Sequence, residues 1–405
     1  MKISLIPVKN IVILSSGEII SRGINFLSFA YLARVISLSD FGTIGFGTAL
    51  VNFLLNLVNF GLDRICLKEV SQNRELASNY LINISIIRIV LSCISFFIYL
   101  LILFFNSNFN LPLVIMGLTI FTTGLSLNYF AKAIEYFKVI TINQILISIL
   151  TIVLYFIFVR NNTDFIIAVF ILVGVSFISN LLFFHKLKEY IKNIRNKFSL
   201  KLIKQLLLSS FPLFISSLMI AIYYFADTIM LGFIKTEYEV GIYSAANKIF
   251  LLLIIPFSII VSVFLPTIAK NIKLVDRSFL YYYIFMIFIG VFLGIIVYLY
   301  ASEIIVLIFG KSFLSSVLPL KILALNTILV GINMSIGEPL TVWGNQKQYL
   351  IAVSLGAITN IILNLIFIPR FSYNGAAFTT LLSEFSVFIV LSYLFYGIRE
   401  KHEQK

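Results

Sequence analysis

The chain has 405 residues, 60% of them hydrophobic and only 12% charged, with a formal net charge of +13 and a mean hydropathy of +1.05. So few charges cannot cover the surface of a water-soluble protein of this length. The positive balance therefore points away from a soluble nucleic-acid-binding domain and toward basic loops beside a membrane.

A helix needs about 20 consecutive apolar residues to cross the hydrocarbon core. Read in chain order, the apolar runs predict spans at 11–33, 42–62, 81–105, 111–130, 140–159 and 164–184, and again at 208–231, 241–265, 279–301, 317–338, 348–369 and 374–396. The run from Ile11 to Ala33 is too long for a signal-peptide core and lacks a cleavage site, so it reads as the first span. The expected fold class is an all-α integral membrane protein with about twelve transmembrane helices. Residues 1–184 form one six-helix bundle, 185–207 a basic cytoplasmic linker, and 208–405 a second six-helix bundle with a short cytoplasmic tail.

An even number of spans puts both termini on one side. With the termini in the cytoplasm, 21 Lys and Arg fall in inside segments and five outside, Arg34 and Arg370 among the five. That is the asymmetry expected of a multi-pass protein in a cytoplasmic membrane. Three short matches link the halves: Leu14-Ser15-Ser16 with Leu208-Ser209-Ser210, Asp40-Phe41-Gly42 with Glu239-Val240-Gly241, and Leu111-Pro112-Leu113 with Leu318-Pro319-Leu320. Halves of six spans have the same orientation, so the bundles are expected to relate by a pseudo-twofold axis along the membrane normal.

Cys66 and Cys93 show no disulfide framework, and with His185 and His402 they show no zinc spacing. There is no phosphate-binding Gly-rich loop and no nucleophile-elbow context, so no enzyme, metal or bound cofactor is expected. Chemistry instead rests on charges within the spans, which are costly in hydrocarbon and face a cavity or a partner. Glu18 and Arg22 share a helix face as a cavity-lining or mutually neutralising pair. Arg88 lies about 10 Å from the cytoplasmic end of the third span at 1.5 Å per residue, placed to meet lipid phosphates or to snorkel. Asp227 and Lys248 sit near the outer ends of consecutive helices, as a coupling pair or an ordinary interhelical ion pair. Lys321 is close enough to the outer interface to snorkel. Glu384 is near the middle of the last span with no basic partner at i±4, making it the leading proton or sodium candidate. Arg34 and Arg370 stand on the side depleted of basic residues, which the topological account does not explain.

Several segments carry a family resemblance. They are Tyr31 to Gly42 with its acidic-Phe-Gly turn; Phe60-Gly61-Leu62 followed by Arg64 and Glu69-Val70; Ala226-Asp227-Thr228-Ile229-Met230-Leu231-Gly232 with Val240 to Ala246 and Lys248; Leu307 to Phe313; and Asn360, Asn364, Ile368-Pro369-Arg370-Phe371 and Asn374-Gly375-Ala376-Ala377. From about residue 10 to 395 the chain resembles the O-antigen and polysaccharide repeat-unit flippases. Their superfamily also includes multidrug-and-toxin extruders and the peptidoglycan-precursor flippase.

The resemblance implies two facing bundles working by alternating access. The implied substrate is an undecaprenyl-pyrophosphate-linked oligosaccharide, moved from the cytoplasmic to the periplasmic leaflet of a bacterial inner membrane. A H+ or Na+ gradient would supply any coupling. Membrane lipids, a polysaccharide polymerase and a chain-length regulator are the implied partners, and nucleic acid is not. Arg22, Arg88, Lys248, Arg34 and Arg370 become substrate or cavity candidates; Glu384, Asp227 and Glu18 become coupling-ion or ion-pair candidates. The rival readings are a cation-coupled exporter of small amphiphilic molecules on the same fold, and a membrane assembly protein that transports nothing.

Overall fold

In the computed structural model the described backbone covers residues 5–105, 110–188, 198–270 and 277–403; side chains are described between residues 16 and 398 of these segments, Lys270 aside. Lys192, Arg195 and Lys197 of the expected basic linker lie outside the described residues. Among the described residues every regular element is helical.

Helix α1 (Leu5–Val35) runs along α8 (Phe137–Phe158). Small residues let them approach: a Cβ on Gly17 would stand 2.4 Å from Cγ2 of Thr141. At the far end Tyr31 donates to the Val159 carbonyl at 2.7 Å, and the Ser37 amide donates to Asn162 Oδ1 at 2.6 Å. Helix α2 (Leu38–Asn59) ends where Phe60 (φ 45°) and Gly61 (φ 72°) turn left-handed. A left-handed Phe costs about 1–3 kcal/mol, and its ring is held stacked on Phe214, with centroids 4.5 Å apart. The turn releases α3 (Leu62–Gln72), an amphipathic helix that buries Leu62, Cys66 and Val70. The apolar-run reading ends the second span at 62 and expects no helix in the inside segment that follows, where α3 stands. Burial pushes the Cys66 thiol up to about 12, with Asp63 adding to the rise.

Helix α4 (Ala77–Phe105) crosses next. The fourth crossing is broken into α5 (Leu111–Gly117), α6 (Thr119–Gly124) and α7 (Asn128–Ala133). Thr119 and Thr122 turn their hydroxyls back onto the carbonyls of Met116 and Thr119, at 2.6 and 2.9 Å. Such back-bonding competes with the helical ladder. Helix α9 (Phe165–Lys186) completes the first six crossings.

The second six begin with α10 (Leu200–Ile234), α11 (Glu237–Lys270) and α12 (Arg277–Leu299). After the short α13 (Ala301–Ile308) comes α14 (Val317–Val342). The final helical stretch, α15 (Gln346–Glu403), has 58 residues, with one non-helical residue at Ser372 (φ 51°). A straight helix of that length would extend about 87 Å, far beyond a bilayer. The chain instead doubles back at Ser372: the Phe367 and Phe378 rings lie 5.5 Å apart, and a Cβ on Gly375 would stand 2.4 Å from the Phe367 carbonyl. Counting α15 as two and α5–α7 as one gives twelve crossings, as expected from the sequence.

Two compact units result: residues 1–37 with 47–218, and residues 38–46 with 219–405. The start of α2 therefore belongs to the second unit, and the start of α10 to the first. Inside the second unit, α2 and α11 meet through glycines. A Cβ on Gly42 would lie 1.8 Å from the Glu237 carbonyl oxygen, and one on Gly241 would lie 2.4 Å from the Leu38 carbonyl oxygen. The contact is reciprocal in the register in which Asp40-Phe41-Gly42 matches Glu239-Val240-Gly241, as a twofold contact requires. In the same register Gly45 faces Ser244.

Large apolar side chains face outward on many helices. Phe97, Phe104 and Phe105 of α4, Phe156 and Phe158 of α8, and Phe170 and Phe177 of α9 are all exposed. In water this would be an aggregating surface; against lipid tails it is the proper solvent-facing surface.

Candidate functional site

The second unit holds a cavity of about 130 Å³ bordered by two buried carboxylates, Asp227 and Glu384. Helical spacing assembles its walls. Residues four apart share a face, so α10 presents Tyr223 with Asp227 to the cavity and α15 presents Thr380 with Glu384 after the Ser372 turn, while Asn360 and Asn364, before that turn, bond to Asp227 itself. Asp227 Oδ1 accepts from the amides of Asn360 and Asn364 at 2.8 and 2.6 Å. Its Oδ2 accepts from the hydroxyls of Tyr243 and Thr380 at 2.9 and 2.6 Å. Four neutral donors compensate the desolvation of this buried carboxyl group.

Glu384 lies across the same cavity and accepts from Asn333 Nδ2 at 2.5 Å. Asn364 Oδ1 is buried with no hydrogen-bond partner. Of the oxygen-bearing side chains here, Asp227, Thr380 and Glu384 border the cavity as hard donors, while Asn360 Oδ1 is taken by Asn364 Nδ2 at 2.9 Å. That chemistry suits a hard cation or a proton and offers nothing to a soft metal.

The first unit holds a second, wholly different cavity of about 300 Å³. Glu18 and Arg22 line it from α1 and are paired at 2.5 Å, both more than half exposed. Asn128 from the broken fourth crossing and Asn143 and Gln144 from α8 face the same space.

Arg88 is 3% exposed and tightly held. Its guanidinium donates to Asn59 Oδ1 at 3.0 Å and to the Thr123 carbonyl at 2.9 Å, and pairs with Asp63 at 3.4 Å. It also lies 4.7 Å from the Tyr129 ring centroid. Arg88 thus ties the α2–α3 turn to α4, α6 and α7. Asp63, its carboxylate partner, escaped the sequence reading because it falls past the predicted end of the second span. Lys248 is partly buried, one residue beyond Asn247 of the Asp227 cavity. Lys321 stands over the Tyr298 ring at 5.2 Å. Arg34 and Arg370 are exposed, and Arg370 follows Pro369, whose carbonyl accepts from Lys235 at 3.1 Å.

The structure therefore brings Asp227 together with Glu384, and Glu18 with Arg22. It leaves Arg88, Arg34 and Arg370 away from both cavities. Tyr243, Thr380 and Asn333 were not foreseen as site residues. Thr380 is signalled by its i, i+4 spacing to Glu384 and Tyr243 by its place in the Val240–Ala246 segment, while Asn333 has no polar residue at i±4 to mark it.

The site is thus two buried carboxylates bordering one cavity in a polytopic, all-helical membrane protein. Solved structures agree on the fold. The chain superposes on the lipid II flippase MurJ in an inward closed conformation with a TM-score of 0.74, at 19% identity, over 96% of this chain and 90% of that one. It superposes on an inward-facing multidrug resistance MATE family transporter of the MOP superfamily with a TM-score of 0.76, at 13% identity, over 95% and 96%.

Among curated proteins, an Escherichia coli (strain K12) protein named "Putative O-antigen transporter" is 23% identical over 373 residues, 88% of this chain and 89% of that protein. A Shigella dysenteriae protein of the same name is 24% identical over 230 residues, 55% of this chain; that match spans 58% of the relative's length. The family described as "Polysaccharide biosynthesis protein" matches residues 8–272, more than half of the chain. The chain belongs to that family.

Proposed function

We propose that this protein flips an undecaprenyl-pyrophosphate-linked oligosaccharide repeat unit across a bacterial inner membrane, from the cytoplasmic to the periplasmic leaflet, by alternating access. The family match over residues 8–272 carries the reading. The named O-antigen transporters among its relatives support it, as does the polar cavity of the first unit. The apolar part of a small amphiphilic molecule, the cargo of the rival exporter, finds little complement there, because leaving polar groups unpaired against an apolar ligand is unfavourable. Both termini then lie in the cytoplasm, as the distribution of Lys and Arg supports.

Coupling is assigned to the oxygen set around Asp227, with Na+ as the cation and Glu384 as a second carboxylate able to take a proton. A polymerase and a chain-length regulator acting on the outer leaflet are the expected partners. The deciding experiment measures the leaflet distribution of the lipid-linked repeat unit in a strain lacking this gene, with and without the gene restored. Accumulation on the cytoplasmic side, relieved on restoration, is the expected result. An unchanged distribution in a strain with no second flippase would refute the assignment.

A further inference from the structure

The fourth crossing (Leu111–Ala133) leaves the helix between the end of α6 at Gly124 and the start of α7 at Asn128. Non-helical backbone at membrane depth persists only where protein buries it or where it lines a cavity. Here side chains of neighbouring crossings hold it on both sides. Just ahead of the break, the Thr122 carbonyl accepts from Asn180 Nδ2 of α9, and the Thr123 carbonyl from Arg88 of α4 at 2.9 Å. Just beyond it, the Tyr129 ring centroid lies 4.7 Å from the Arg88 guanidinium, and Tyr129 Oη lies 3.0 Å from Ser85 Oγ and donates to the Leu81 carbonyl at 3.3 Å. Leu81, Ser85, Arg88 and Ser92 follow at steps of three and four, so one face of α4 meets the whole break. The fit is close: a Cβ on Gly124 would collide with Ser92 Oγ.

The break makes a two-sided wall. In an unbroken helix Gly124 and Asn128 would share a face. Instead Gly124, Leu125 and Leu127 border an apolar groove of about 260 Å³ with α4, while Ser126 and Asn128 border the polar cavity with α1 and α8. The shape of the break therefore decides which residues reach the polar cavity; helical periodicity does not.

Arg88 lines neither space. It is 3% exposed, and Asn59 Oδ1, the Thr123 carbonyl and Asp63 engage its guanidinium. That planar fork reaches the residues on both sides of the break and ties them to the α2–α3 turn. A lysine ammonium, a single point charge, could not span the same partners. We propose that Arg88 is a positioning residue of the first-unit cavity: by fixing the break it places Ser126 and Asn128 on the cavity wall. Its part in transport rests on the flippase reading above; the placement does not.

The test uses the purified full-length protein in a Cys66→Ala/Cys93→Ala background. A single thiol is introduced at Ser126→Cys in the break or at Asn25→Cys on the α1 wall of the same cavity. The readout is the rate of labelling by N-ethylmaleimide. Arg88→Gln should fold, because the side chain of Asp63 is 43% exposed and keeps its charge in water without a partner. In Arg88→Gln, Ser126→Cys is expected to react about tenfold faster, the effect of one lost hydrogen bond to a charged group on a local opening. Asn25→Cys should react at its former rate. Arg88→Lys, which keeps the charge without the fork, should fall between. In the strain lacking this gene, Arg88→Gln should relieve the cytoplasmic-side accumulation less than wild type, and Arg88→Lys should recover part of the difference. An unchanged rate at Ser126→Cys in both variants overturns the positioning role. Equal acceleration at Asn25→Cys overturns it too, since that marks general loosening. Full relief by Arg88→Gln despite faster labelling overturns its part in transport. A wild type that relieves nothing refutes the flippase reading, and the labelling rates still decide the placement.

Discussion

Asp227→Asn removes a charge while nearly preserving shape, and its consequences follow from the four hydrogen bonds. The asparagine oxygen takes the place of Oδ1 and keeps the amide donors of Asn360 and Asn364. Its NH2 takes the place of Oδ2, facing the hydroxyls of Tyr243 and Thr380. Hydroxyls accept as well as donate, so those two contacts reverse rather than vanish. What is lost is the difference between charged and neutral acceptors. Net contributions are about 1.5–3 kcal/mol for bonds to a charged group and about 0.5–1.5 for neutral ones. Four such differences in one network do not add, and relief from burying a charge offsets part of them. The expected loss is about 1–3 kcal/mol, and the protein stays folded. Asp227→Leu leaves the same donors without an acceptor and is expected to be far less stable.

The functional effect should run the other way in size. A cation that binds the folded state at one hundred times its Kd stabilises it by about 2.7 kcal/mol. Purified wild type should therefore melt at a higher temperature in Na+ than in choline at equal ionic strength. Asp227→Asn should melt at the same temperature in both, and should lose cation-dependent transport. If Asp227→Asn keeps the full Na+-dependent rise, the cation is held elsewhere and the assignment of this site fails.

Gly42→Val should disrupt the α2–α11 contact, because its Cβ would start 1.8 Å from a backbone oxygen that no rotamer change can move. Overpacking of this kind costs about 1–3 kcal/mol, so a melting temperature equal to wild type would contradict the close approach. Asn326 is fully buried with both amide atoms unpartnered; Asn326→Leu is expected to raise thermal stability, and a marked loss would reveal a bridging water. The Glu18→Gln/Arg22→Gln double variant should stay within about 1 kcal/mol of wild-type stability, because an exposed pair contributes little. Its transport assay then reports on function alone.

Cys66 gives a pH prediction. Its folded pKa, about 12, exceeds the usual thiol value, so folding holds the proton that the unfolded chain releases above about 8.5. The stability this provides is complete below that pH and is lost as pH rises from there toward 12. Melting curves between pH 8 and 10 should fall less steeply in Cys66→Ala than in wild type; parallel slopes would disprove it.

Twelve crossings and the charged positions within them were legible in the sequence, because a bilayer imposes length and apolarity on every span. The resemblance on Asp227, Asn360 and Asn364 was also visible as letters in order. Their meeting was not: Asn360 and Asn364 reach Asp227 from 133 and 137 residues away, and Thr380 joins only because the chain reverses at Ser372. The partner of Arg88 was hidden for a similar reason. Asp63 follows a left-handed turn at Phe60 and Gly61 that apolarity does not encode.

The neutral cavity in the first unit shows the division most clearly. Ser21, Asn128 and the adjacent Asn143 and Gln144 are polar residues of three different crossings, and nothing in the sequence links those three positions. The sequence alone determined the protein's solvent, its number of crossings and its family, since hydropathy and local motifs are properties of consecutive residues. Which polar groups face one another, and which residues line a cavity, was decided only by helix packing. Recognition depends on the distance between atoms of different helices, a quantity that no single helix carries.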